Sequence, residues 1–172
     1  MSVSVRPATE DDLDAAVDLY AEVAAEGRWI GGEAPTDKPE RRAVFQASVH
    51  RDDAQVFVAE EDGRMVGELG IEVRRYGVAE LGMMVAADAR GRGAGSALLA
   101  AAIDWARTAG AHKISLQVWP HNDAALALYR KFGFDQEGYL HRHYRRRNGE
   151  LWDAVVMGLV LDEASPGSSL SA

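Results

Sequence analysis

Hydrophobic residues along this chain switch between two periods, and the switches mark its elements. Val3-Ser4-Val5-Arg6 alternates as a strand does, and Pro7 ends it. Thr9 followed by Glu10, Asp11 and Asp12 marks a helix start, with acids where the helix dipole favours them. Leu13, Val17, Tyr20 and Ala24 then recur at helical spacing. Gly27, Gly31, Gly32 and Pro35 break the next segment into a loop. Pro39 suits the first turn of a second helix, which carries Val44, Phe45 and Val49 as far as about Arg51. Three strands follow at Gln55–Glu60, Met65–Val73 and Val78–Val85. Asp62-Gly63 joins the first two, and the region of Gly77 joins the last two. The alanine- and leucine-rich run from Ser96 to Ala109 predicts a third helix, with Gly110 just past its end. Lys113 to Trp119 reads as a strand stopped by Pro120. Asn122 caps a short helix running to Lys131 and ended by Gly133. Two closing strands, about Tyr139–Arg146 and Leu151–Val160, flank Asn148-Gly149, a signal for a tight type I′ turn.

This order predicts an α/β fold, a mixed central sheet of about seven strands flanked by about four helices. With 172 residues and no internal repeat, one domain is expected over residues 1–161. The small, polar stretch 162–172 reads as a disordered tail. Hydrophobic and charged fractions of 47% and 27% are those of a soluble globular protein. A formal net charge of −8 argues against a nucleic-acid footprint. Cysteine is absent, which excludes disulfides, thiolate metal sites and a cysteinyl intermediate. There is no signal-peptide pattern and no apolar run of membrane length, so no membrane partner and a cytoplasmic location are expected. His50, His112 and His121 lack metal-ligand spacing, so no metal is expected.

The densest chemistry lies at Arg90-Gly91-Arg92-Gly93-Ala94-Gly95-Ser96, between a strand and a long helix. A helix start presents unpaired N–H groups and partial positive charge, and glycines let an anion approach the backbone. A P-loop would need Lys-Ser/Thr after the last glycine, whereas Ser96-Ala97 follows here. A dinucleotide-binding turn would need a glycine at Ser96 and an acid after the next strand, where Trp119-Pro120 stands. Arg90-x-x-Gly93-x-Gly95 instead resembles the acyl-CoA pyrophosphate loop of the GCN5-related N-acetyltransferase (GNAT) superfamily. Asn122-x-x-Ala125-x-x-x-Tyr129-x-Lys131-x-Gly133-Phe134 resembles the second block of that family, in the expected order. Glu137-Gly138-Tyr139 and Asp153 to Leu159 are similar to its closing hairpin. The resemblance runs from about Val3 to Leu161.

The resemblance implies a GNAT fold and transfer of an acetyl group from acetyl-CoA to a primary amine by direct attack. Arg90 to Ser96 would hold the pyrophosphate. The backbone of Met83, Met84 and Val85 would pair with the pantetheine arm, and an N–H near Val85 would face the thioester oxygen. Asn122 would bond the same arm or cap its own helix. Tyr129 matches the family tyrosine beside the sulfur, and is the candidate acid for the leaving thiolate. Glu80 stands where several relatives carry a glutamate base, with Glu72 as substitute. A base is needed because an alkyl amine is protonated up to a pKa of about 10. Trp29 and Glu33 lie on the loop that covers the acceptor site in the family, and an aromatic with an acid suits a cationic amine. A small-molecule amine is favoured over a peptide acceptor, and a non-catalytic acyl-CoA sensor is the rival reading. The basic run Arg142, Arg145, Arg146 and Arg147, with His141 and His143, could bind an anionic acceptor or a phosphate, but reads rather as an offset for the acids or as protection of an edge strand. By analogy with relatives, the final hairpin could support a homodimer.

Overall fold

Seven strands form one sheet in the order β1-β2-β3-β4-β5-β7-β6. The computed structural model describes residues 2–161, and the expectation of a disordered tail lies outside them. The strands are β1 (Ser4–Pro7), β2 (Ala54–Glu61), β3 (Arg64–Val73), β4 (Val78–Val85), β5 (Lys113–Val118), β6 (Asp135–Arg145) and β7 (Leu151–Val160). The helices are α1 (Leu13–Ala25), α2 (Lys38–Val49), α3 (Ala94–Thr108) and α4 (Asp123–Lys131). Every neighbouring pair is antiparallel except β4 and β5.

Local chemistry explains most of the boundaries. The Asp12 carboxylate accepts from the Thr9 backbone N–H at 2.8 Å, closing the turn before α1. Asp37 caps α2 by accepting from Glu40 N at 2.9 Å. Asp62 and Gly63 both have left-handed φ, 51° and 77°, which makes the β2–β3 connection a type I′ turn. Asn148-Gly149 departs from its predicted turn. Only Gly149 is left-handed, at 89°, and its N–H donates to Arg146 O at 2.9 Å. The hairpin therefore has a longer turn, starting at Arg146, with the glycine at its left-handed position. Strand β6 starts earlier than its pattern predicts, because Asp135, Gln136 and Glu137 are polar and two register shifts break the alternation.

Alternate residues of β2 serve opposite faces. Val56 and Val58 pack with Phe45 of α2 on one face. Phe57 and Ala59 join the larger core that contains Leu98, Leu99, Ala102 and Ala106 of α3. Each such leucine contributes about 1.5–3 kcal/mol on burial. Helix α3 sits close to the sheet because Gly67 has no side chain. A Cβ there would stand 2.9 Å from Leu98 Cδ1 and 3.3 Å from Met84 O.

The parallel pair is short. Val78, Ala79 and Glu80 register with Lys113, Ile114 and Ser115, and no pairing follows. Beyond Glu80 the two strands part. Strand β5 stays fixed on its other side, where pairing with β7 continues to Val118↔Val155.

Gly67→Ala is expected to cost about 1–3 kcal/mol through overpacking. Urea unfolding should show a lower midpoint with an unchanged slope. An unchanged midpoint would mean that α3 does not depend on this contact.

Candidate active site

The wedge between β4 and β5 opens into a cleft of about 710 Å³. Its β4 wall is Gly82 to Val85, its opposite wall is Gln117 and Val118, and Tyr129 of α4 and the first turn of α3 close one side. Side chains cap α2 and α4, but no side chain caps α3. Its N-cap is Gly93, at a left-handed φ of 95°, preceded by Gly91 at 73°. Nothing lies within 4 Å of where a Cβ would stand at either glycine. Open backbone at a helix start with no side-chain cap is a cradle for an anion, and it fits a diphosphate. Gly95 has another reason: a Cβ there would come within 3.1 Å of Leu128 Cδ2, so its absence lets α4 approach α3.

Among the residues singled out from sequence, Trp29, Met83, Met84, Val85, Arg90, Gly91, Gly93, Gly95, Ser96, Asn122 and Tyr129 line the cleft. Arg92 and Ala94 do not. The Arg92 guanidinium binds Glu61 at 2.6 Å, and Ala94 is buried in the core. Glu80 is also outside the lining. It is exposed at the last position of β4 that pairs with β5, and Arg74 Nε lies 3.1 Å from its carboxylate. Glu72, directly across from Glu80, is bound by both Arg51 and Arg74. Glu33 lies apart from the cleft because it fastens its own loop, accepting from the Arg147 backbone N–H at 3.1 Å.

Tyr129 is buried, and its ring packs 5.6 Å from that of Phe134. Burial alone pushes its hydroxyl up to about 12. Asn122 lines the cleft and also caps α4, accepting from Ala125 N at 3.2 Å.

Two further groups organise the site; Glu26 carries no signal in the chain, and Arg146 shows there only as part of a basic run. Glu26, just past α1, accepts from both terminal nitrogens of Arg90 at 2.7 and 2.6 Å, and from Trp29 Nε1 at 2.7 Å. The Arg90 ion pair holds the Glu26 carboxyl below its ordinary range. Arg90 Nε donates to Val85 O at 3.0 Å, so one arginine links the loop, the open strand and α1. Arg146 is buried, unlike the other members of its basic run. Its guanidinium lies 4.4 Å over the Trp152 ring and donates to Gly31 O at 3.0 Å. It thereby pins the 27–37 loop to the closing hairpin. Among the described residues no cluster of three or more His, Asp or Glu could hold a metal, and no helix is long and apolar enough to cross a membrane.

Residues 17–134 match the acetyltransferase (GNAT) family, and the chain belongs to that family. It is 29% identical over 167 residues to L-methionine sulfoximine/L-methionine sulfone acetyltransferase of Pseudomonas paraeruginosa, covering 94% of this chain and 96% of that one. It is 38% identical over 112 residues to the L-amino acid N-acetyltransferase AaaT of Escherichia coli, covering 60% and 67%. Among solved structures, the ribosomal-protein-alanine N-acetyltransferase of Brucella melitensis superposes with a TM-score of 0.83 at 31% identity, over 92% of this chain and 99% of that one. The Salmonella typhimurium protein yncA, solved with its cofactor acetyl-CoA, gives 0.84 at 25% identity over 98% and 99%. The chain is an N-acetyltransferase.

Glu26→Gln keeps an acceptor for Trp29 but removes the charge that engages Arg90. CoA affinity is expected to rise about fivefold, roughly 1 kcal/mol, because the diphosphate no longer competes with a carboxylate. Calorimetry measures this directly, and unchanged affinity would show that Arg90 does not exchange partners.

Proposed function

We propose that this enzyme moves an acetyl group from acetyl-CoA to a small-molecule primary amine, without a covalent enzyme intermediate. The observation that carries this reading is the cleft itself. It joins an unpaired strand edge, an uncapped helix start and the side chain of Tyr129. The open edge from Met83 to Val85 offers backbone groups to the pantetheine arm, and the α3 start offers N–H groups to the diphosphate. Asn122 stands at the same wall.

The neutral amine attacks the thioester carbonyl carbon, and the carbon–sulfur bond breaks as the amide forms. A backbone N–H of the open edge near Val85 meets the oxygen that gains charge. Tyr129 gives its proton to the departing thiolate. Its raised pKa keeps it a phenol at working pH, ready as an acid. The ammonium proton leaves through water to Glu80. That carboxylate stands at the vertex where β4 and β5 part, one β-period before Gly82 on the same strand face. Glu72 is the weaker candidate because two arginines hold it.

Acceptor size follows from the roof. Trp29, Ile30 and Gly31 cover part of the cleft. The Arg146 and Arg147 contacts pin this roof, and so does the contact of His121 Nε2 with Arg28 O at 2.8 Å. A pinned roof suits a compact amine better than a protein chain. Two relatives named for methionine derivatives and L-amino acids support the same choice. The Brucella relative supports a second reading, an alanine at a protein N-terminus.

The test is release of CoA thiol from acetyl-CoA with L-methionine sulfone, phosphinothricin or an alanine-ended peptide as acceptor. Faster turnover with the free amines supports the reading, and turnover with the peptide alone contradicts it. Tyr129→Phe should lower kcat at least about 100-fold, as for loss of a general acid, with acetyl-CoA affinity held within about twofold. The wild-type pH profile should show no Tyr129-linked alkaline limb below roughly pH 11. Equal losses of rate and affinity would remove the acid role.

A further inference from the structure

Three strand glycines near the cleft have different physical explanations. Gly67 is required by contact with α3. Gly70 and Gly82 are not required by anything in the fold. Neither has a left-handed φ, and a Cβ at either would meet nothing within 4 Å. A glycine inside a strand weakens it through backbone entropy, so two unexplained ones point to close approach by a ligand. They are also partners: Gly70 of β3 lies directly across from Gly82 of β4. Their shared face is the one that carries Glu68 and Glu72 on β3 and Glu80 on β4. Gly82 lines the cleft, so this bare floor opens sideways from the wedge toward β3.

One end of the floor is polar on both strands, and the other sets Glu68 across from Met84. At one end Arg74 binds Glu72 and Glu80. At the other stands Glu68, buried and paired with Arg41. The second carboxylate oxygen of Glu68 is buried with no hydrogen-bond partner. Arg41 Nε is likewise buried with no partner, so both orphaned atoms belong to this one ion pair.

Resting on the acyl-transfer reading above, we propose that Gly70 and Gly82 are specificity-determining residues: the acceptor lies over them with its amine toward the cleft. The floor is two strands wide and lateral to the cleft. An unbranched alkyl amine that continued the line of the pantetheine would not use it. A polar amine branched at its α-carbon, as in an amino acid, would fill it.

Two bisubstrate conjugates test this by calorimetry. In each, the CoA sulfur is joined through –CH2–CO– to an amine, either L-methionine sulfone or n-propylamine. Wild-type protein should bind the branched conjugate at least about tenfold tighter than the unbranched one. Gly70→Ala and Gly82→Ala should each lose that gain, and Gly70→Ala, which lies outside the cleft lining, should bind CoA and the unbranched conjugate within about twofold of wild type. Both variants should melt at or above the wild-type Tm, since each new methyl meets open space. A gain that persists in both variants, or that is absent in the wild type, overturns the proposal while leaving acyl transfer intact. Failure of the wild type to bind CoA at all would overturn the acyl-transfer reading, and this proposal with it.

Discussion

The parting of β4 from β5 after three paired residues is what the rest of the site depends on. A sheet that stops pairing in its interior leaves backbone N–H and C=O groups exposed to whatever enters, and such groups are costly to leave unmet in a dry setting. The fold tolerates the gap because each strand is secured on its other side, β4 by β3 and β5 by β7. A ligand with amide groups can complete the ladder. The uncapped start of α3 repeats this logic at its own end of the cleft, where its N–H groups have no side-chain cap.

Charge around this opening is held in place by a few connected contacts. Arg90 touches the open strand, the glycine loop and, through Glu26, the tryptophan of the covering loop. Arg146 carries the far end of that loop, from beneath the closing hairpin. Buried between an indole and a backbone carbonyl, its contribution combines packing with hydrogen bonding. Both ends of the covering loop are thus tied to cationic side chains. The cover over the cleft is set by these same contacts.

Much of this was readable in the chain, for identifiable reasons. Local chemistry predicted helix α2 at Pro39, the cap at Asn122 and the turn at Asp62-Gly63, because each depends on residues adjacent in sequence. The glycine loop was readable because φ and close approach restrict those positions to one residue type. Side-chain commitments over long separations were not. Arg92 looked like Arg90, yet it spends its charge on Glu61, 31 positions earlier. Glu80 carried the expected spacing, but Arg74 and its solvent exposure could not be read from alternation. Arg146 was hidden in a basic run whose other members are more exposed, since burial of one arginine follows from tertiary packing around Trp119 and Trp152. The Asn148-Gly149 signal named the right hairpin and the wrong turn, because Arg146 and Arg147 face the 27–37 loop there.

The central claim is that the open β4 edge and the α3 start are completed by acetyl-CoA. Amide hydrogen exchange with and without acetyl-CoA tests it most directly, since it reads the backbone groups themselves. Added ligand should slow exchange in the segments spanning Gly82–Val85 and Gly93–Ala97, and leave Glu72–Arg75 unchanged. Protection confined to other segments, or none at saturating ligand, would contradict it.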